Sequence, residues 1–165
     1  MNRACDEKGE TFDKVLLEKS FTNAFLDVLS TMAGIYGEEM ADSEASKEKP
    51  GGGITGVMIL TGEKQSFATI TIPKAAAFHI VSYMTGIDGS GLTEEDLNDG
   101  AAELINMICG RAKTFLAETE YHFQLTTPLV ISGENYSILQ KKSVVRLKKK
   151  FRVEEYILIL ELSFP

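Results

Sequence analysis

An α+β fold is predicted, with long helices packed on one face of an antiparallel β-sheet in the order α-β-β-α-α-β-β-β. Three features of the 165-residue sequence predict it. Two long stretches, Val15 to Tyr36 and Thr93 to Ala117, carry apolar residues at helical spacing. Two pairs of apolar runs, Ile54–Leu60 with Ser66–Ile72 and Ser143–Val153 with Tyr156–Phe164, are separated by short turns and read as hairpins. Helix, two strands, two helices and three strands in succession favour an antiparallel sheet with its helices on one side.

The elements follow in order. Met1 to Asp13 is polar and patternless, so residues 1–13 are expected to form a flexible tail before a single domain over 14–165. The first helix, Val15 to Tyr36, turns Ala24, Phe25, Val28, Met32 and Ile35 inward and ends near Gly37. Ala41 to Gly53 is charged and closes in Pro50-Gly51-Gly52-Gly53, a flexible connection that lacks the spacing of a phosphate loop. Thr61 to Gln65 turns between the first two strands. Pro73 suits the first position of a helix running through Ala75, Phe78, Val81 and Met84 to a stop at Gly86. After the loop Ile87 to Leu92 comes the long helix, with Leu97, Ala101, Leu104, Ile105, Ile108, Ala112 and Phe115 on one side. Leu125 to Ser132 contains Pro128, which suits an edge or irregular strand. Gly133-Glu134-Asn135 marks a turn, and Leu158, Leu160, Leu162 and Phe164 alternate onto one face of the final strand.

Composition narrows the function. A net charge of -7 argues against a nucleic-acid binder. Cys5 and Cys109 imply no disulfide framework, and the lack of an apolar run of about 18 residues leads us to expect a soluble, cytoplasmic protein. His79 and His122 are isolated from carboxylates and thiols at ligand spacing, so packing or surface roles are expected and no metal or cofactor of its own. Cys109 and the methionines Met32, Met58, Met84 and Met107 read as packing residues. Lys141-Lys142 and Lys148-Lys149-Lys150 with Arg152 read as a solvated or edge-protecting strand whose charges alternate between faces.

The candidate site lies on the long helix. Glu103 and Asn106 fall nearly opposite its apolar side, three residues apart and so side by side. Asp99 precedes them by one turn and Gly110 follows by one turn. An interior glycine costs about 1 kcal/mol against alanine, so Gly110 suggests room for something to approach the helix. Gly100 weakens the same helix and reads as a tolerated irregularity. A second Glu-x-x-Asn pair, Glu95 and Asn98, sits in the first turn behind Thr93 and reads as capping.

The run Glu103-Leu-Ile-Asn-Met-Ile-Cys-Gly-Arg-Ala-Lys113 closely resembles the signature helix of the CheX branch of the CheC/CheX chemotaxis phosphatases. The resemblance extends from about Val15 to the C-terminus, outside the first dozen residues and the glycine-rich segment before Ile54. It implies removal of phosphate from a CheY-like response regulator, a site made of Glu103 and Asn106, and a homodimer. We expect that dimer to form through strand edges that include the C-terminal hairpin, with the signature helices outward. Aligning Gly34 with Gly110 places Asp27 on Glu103 and Ser30 on Asn106, a worn internal repeat. CheC relatives carry two such sites, CheX-like chains one.

The chemistry fits these residue types. Hydrolysis of an aspartyl phosphate needs a water in line with the leaving carboxylate, and positioning does most of the work. A neutral carboxamide can hold that water through its oxygen, whereas a carboxylate there would repel the phosphoryl oxygens. Asn106 is therefore the candidate for orienting water, and Glu103 for pairing with the active-site lysine of a phosphorylated CheY-like receiver. Phosphorus, its aspartate and Mg²⁺ would belong to that partner. Two readings stay open: a phosphatase, and a non-catalytic receiver-binding or signalling module on the same fold. Docking of an acidic receiver is the alternative reading of the basic strand.

Overall fold

The computed structural model describes residues 3–5, 11–41, 53–63, 65–139 and 145–164. The chain begins with β1 (Arg3–Cys5), β2 (Thr11–Asp13), α1 (Lys14–Val28) and β3 (Gly37–Glu39). It continues through β4 (Gly53–Thr61), β5 (Ser66–Pro73), α2 (Lys74–Thr85) and α3 (Glu94–Leu116). It closes with β6 (Gln124–Leu125), β7 (Leu129–Gly133), β8 (Val145–Val153) and β9 (Tyr156–Phe164). Among the described residues, seven strands form one sheet in the order β3-β8-β9-β5-β4, and both β6 and β7 pair with the outer side of β4. Every pairing is antiparallel.

Alternation along the strands builds the core. Ile54, Met58, Leu60, Ala68, Ile70, Ile72, Leu147, Phe151, Leu158, Leu160 and Leu162 are buried on the face that carries the three helices. Phe25 of α1 stacks on Phe151 of β8 with ring centroids 4.1 Å apart. The α+β class and the single helical face match the reading from periodicity.

Several details depart from it. The first helix leaves α geometry at Val28, runs as a π-turn over Leu29–Ala33, and ends on left-handed Gly34 rather than near Gly37. A π-turn spaces residues by five instead of four. Ala33 therefore takes the buried place below Val28, and Met32, expected inside, is 41% exposed. Gly37 instead opens β3, which pairs with Phe151–Val153 of β8. In α2, Pro73 is the residue before the helix, Ala75 is exposed, and the core takes Ala76, Ala77, Ile80 and Val81. The expected strand Leu125–Ser132 is broken into β6 and β7, with Pro128 in the break and Thr126 still bonded to the Ile59 carbonyl of β4. The C-terminal hairpin is only half at the edge: β9 is interior, between β5 and β8.

Within the segment expected as a tail, β1 and β2 pair with each other. Asp13 then caps α1 by accepting from the Leu16 N–H at 3.0 Å, and its own N–H donates to the Tyr121 hydroxyl. The connection 42–52 and Lys141-Lys142 lie outside the described residues.

Candidate functional site

The helix α3 begins on a reciprocal cap. Thr93 Oγ1 accepts from the Asp96 N–H at 3.2 Å, and Asp96 Oδ2 accepts from the Thr93 N–H at 2.7 Å. Glu94, Glu95 and Asp96 occupy the first turn and Lys113 the last, both complementing the helix dipole. The Thr93 N–H, and then its hydroxyl, hold the Asp96 carboxyl below its ordinary value. On the inner side Leu97, Ala101, Leu104, Ile105, Ile108, Cys109, Ala112 and Leu116 are buried. Burying each large aliphatic side chain among them contributes about 1.5–3 kcal/mol at most, which outweighs about 1 kcal/mol for each helical glycine. Cys109 is part of this packing, and burial pushes its thiol far up, so no thiolate is available there.

Two glycines set the depth of α3. A Cβ on Gly56 of β4 would fall 2.7 Å from the Ala101 carbonyl oxygen and 3.0 Å from Ile105 Cγ2, so the helix backbone rests directly on the strand. A Cβ on Gly100 would fall 2.3 Å from Val81 Cγ2, so α2 packs against α3 at that level. Gly100 is thus a packing requirement and not an irregularity. Both contacts lie within a turn of Glu103 and fix where its side chain emerges.

Glu103 is exposed and Asn106 half-buried, on the side of α3 away from Leu104, Ile105 and Ile108. Their Cβ atoms are about 5–6 Å apart at this spacing. Asp99 is exposed one turn earlier, and Lys113 donates to Gln124 Oε1 of β6 at 2.6 Å. Phe115, expected inside, is 47% exposed, and Leu116 takes the buried place. The second Glu-x-x-Asn pair is different in kind. Glu95 is exposed, but Asn98 turns inward, its Oδ1 buried without a hydrogen-bond partner among the described residues.

Asp27 of α1 and Ser30 of the π-turn after it, the residues aligned with Glu103 and Asn106, are not a free pair either. Arg111 of α3 bonds the Asp27 carboxylate through both Nε and Nη2. The Ser30 hydroxyl donates back to the Asp27 carbonyl at 3.0 Å. An open groove of about 630 Å³ lies beside them, with Asn23, Leu26, Tyr36, Arg111 and Phe115 on its walls. Neither Glu103 nor Asn106 lines it. Those two side chains share the outward side of α3, Glu103 exposed and Asn106 half-buried. Arg111 was not singled out in the sequence, since its partner is remote in the chain.

The other candidates resolve into local roles. His79 Nδ1 is 3.5 Å from Glu154 Oε2, and its ring packs against Tyr156; His122 Nδ1 is 3.0 Å from the Thr119 carbonyl. On β8, Arg146, Lys148, Lys150 and Arg152 share the face away from the helices. Lys149 alone points to the helix side, where it pairs with Glu39 at 2.8 Å and Glu18 at 3.6 Å. No helix among the described residues is long and apolar enough to cross a membrane.

Residues 54–152 match the family model described as chemotaxis phosphatase CheX. Among solved structures, the chain is similar to chemotaxis protein CheX from Vibrio vulnificus, with 27% identity and a TM-score of 0.76 over 90% of this chain and 96% of that one. It is similar to chemotaxis protein CheX from Desulfovibrio desulfuricans at 29% identity and a TM-score of 0.73, over 90% and 99% of the two chains. It shares its fold with a chain of the CheX–CheY–BeF3–Mg²⁺ complex from Borrelia burgdorferi, at 23% identity and a TM-score of 0.69, over 90% and 96%. No curated protein matches the chain.

Proposed function

The chain belongs to the CheX family of chemotaxis phosphatases, and from that premise we propose that it accelerates hydrolysis of the aspartyl phosphate on a CheY-like receiver domain. The observation that carries this reading is the setting of Glu103 and Asn106: side by side on the outward side of a helix whose depth is fixed by Gly56 and Gly100. The pair lies outside the groove beside Asp27, and an outward pair on one helix suits contact with another protein. The relative from Borrelia burgdorferi, solved with CheY, BeF3 and Mg²⁺, supports a partner of this type. The cytoplasm is the compartment that such a partner implies.

In this mechanism the Asn106 carboxamide oxygen accepts a hydrogen bond from a water and leaves a lone pair of that water aimed at phosphorus. The water oxygen bonds to phosphorus as the bond from phosphorus to the aspartate oxygen breaks. The aspartate leaves as a carboxylate, and inorganic phosphate carries away the water's protons. Glu103 pairs with the receiver's lysine and fixes the depth of insertion. Mg²⁺ and the phosphorylated aspartate belong to the receiver. The test is to mix the protein with phosphorylated receivers and follow phosphate loss; binding without acceleration would leave a non-catalytic module.

We also propose a homodimer through a strand edge. The C-terminal hairpin reaches the end of the sheet through β8, beside the short β3, and a second copy would extend the sheet on that side. Sedimentation at micromolar concentration tests it, and a clean monomer would remove it.

A further inference from the structure

Gly110 is the glycine on α3 that its own chain does not explain. Gly100 is forced by Val81, but a Cβ on Gly110 meets nothing among the described residues nearer than Leu125 Cδ1 at 4.0 Å, an ordinary contact. Its backbone does not need glycine either, because it is not among the positive-φ residues and continues a regular helix. Alanine would fit and would favour the helix. What the glycine leaves is a recess on the stripe of Asn106, one turn further on. Lys113, the next long side chain along that stripe, is drawn aside onto Gln124 Oε1 at 2.6 Å and does not fill it.

We infer that Gly110 is a specificity-determining position: the recess is the clearance into which the surface of the receiver enters, so that Glu103 and Asn106 reach the aspartyl phosphate. This rests on the receiver-phosphatase reading above. Side-chain size at 110 then sets how closely the two backbones approach. A bulky residue holds Asn106 away from the attacking water without touching any reacting atom.

The test compares wild type with Gly110→Ala and Gly110→Leu, using a CheY-type receiver activated with beryllium fluoride and Mg²⁺ for binding and its phosphorylated form for turnover. Gly110→Ala should melt at or above the wild-type temperature, because its Cβ makes only an ordinary contact with Leu125 and alanine favours the helix. Gly110→Leu should lose roughly tenfold or more in affinity, the scale of a disrupted contact at an interface centre. Gly110→Ala should bind nearly as wild type yet release phosphate several-fold more slowly, since about 1 Å of displacement suffices to misplace a water. Should Gly110→Leu misfold, the Gly110→Ala turnover alone decides. Variants that bind and turn over like wild type overturn the clearance and leave the phosphatase reading intact. A wild-type protein that neither binds nor dephosphorylates these receivers overturns both.

Discussion

Arg111 of α3 grips Asp27 of α1, two residues 84 positions apart in the sequence. The pair joins the signature helix α3 to α1. The Asp27 carboxylate is thereby engaged, and the Ser30 hydroxyl donates to the Asp27 carbonyl. The partners are 48% and 36% exposed, so the pair stabilises by about 0–1 kcal/mol. Asp27→Ala with Ser30→Ala should therefore leave phosphate release nearly unchanged and lower stability by roughly 1 kcal/mol or less. A folded double variant with a large loss of activity would show that α1 also touches the receiver.

Asn106→Ala should lower the rate of receiver dephosphorylation by about 10²- to 10³-fold while binding persists, as for loss of one positioning group. Glu103→Ala should weaken both binding and rate. Circular dichroism first establishes that each variant is folded; phosphate release at saturating phospho-receiver and a separate binding titration then separate the two roles. Wild-type turnover by Asn106→Ala would remove the water-orienting assignment.

Gly100→Ala should destabilise the protein although it raises helix propensity. The added methyl group would meet Val81 Cγ2, and overpacking of about 1–3 kcal/mol exceeds the gain of about 1 kcal/mol. Urea unfolding measures the difference. Combining it with Val81→Ala should cost less than the two changes summed, because the clash and the vacated space compensate.

Asp96 couples the cap of α3 to pH. Its folded pKa lies below the ordinary 3.8, so its contribution is complete at pH values above about 5 and disappears as the pH falls through the depressed folded value. Melting temperatures of wild type and Asp96→Asn should differ most above about pH 5 and converge in stronger acid. A constant gap across that range would mean that the carboxylate charge does not matter to the cap.

Much of this architecture was legible because its causes are local. Thr93 marks the start of α3, although its reciprocal partner is Asp96 and not the Glu95 and Asn98 pair read as capping, and the apolar period from Leu97 to Ala112 leaves Glu103 exposed. The misses have distant causes. Gly100 could not be explained without Val81, and Arg111 could not be matched to Asp27 by spacing. The π-turn shifted Met32 outward by adding one residue, which a fixed period of 3.6 cannot register. Likewise β3 is too short to show alternation and exists through pairing with β8.

The place of β9 has a consequence for how the molecule is made. It joins β5 to β8, setting Phe67 opposite Ser163 and Val145 opposite Phe164, yet it follows both strands and α3 in the chain. During synthesis, Leu104, Ile105 and Ile108 leave the ribosome when only the β4–β5 half of their platform exists. The basic strand β8 arrives with no neighbour to bridge it to that half. Pairing across such separations is slow, commonly milliseconds to seconds for sheet-rich domains. A nascent chain halted at Val153 should thus carry the signature helix on an unfinished sheet and be cut readily by protease, and arrival of the final strand should bring resistance and activity together.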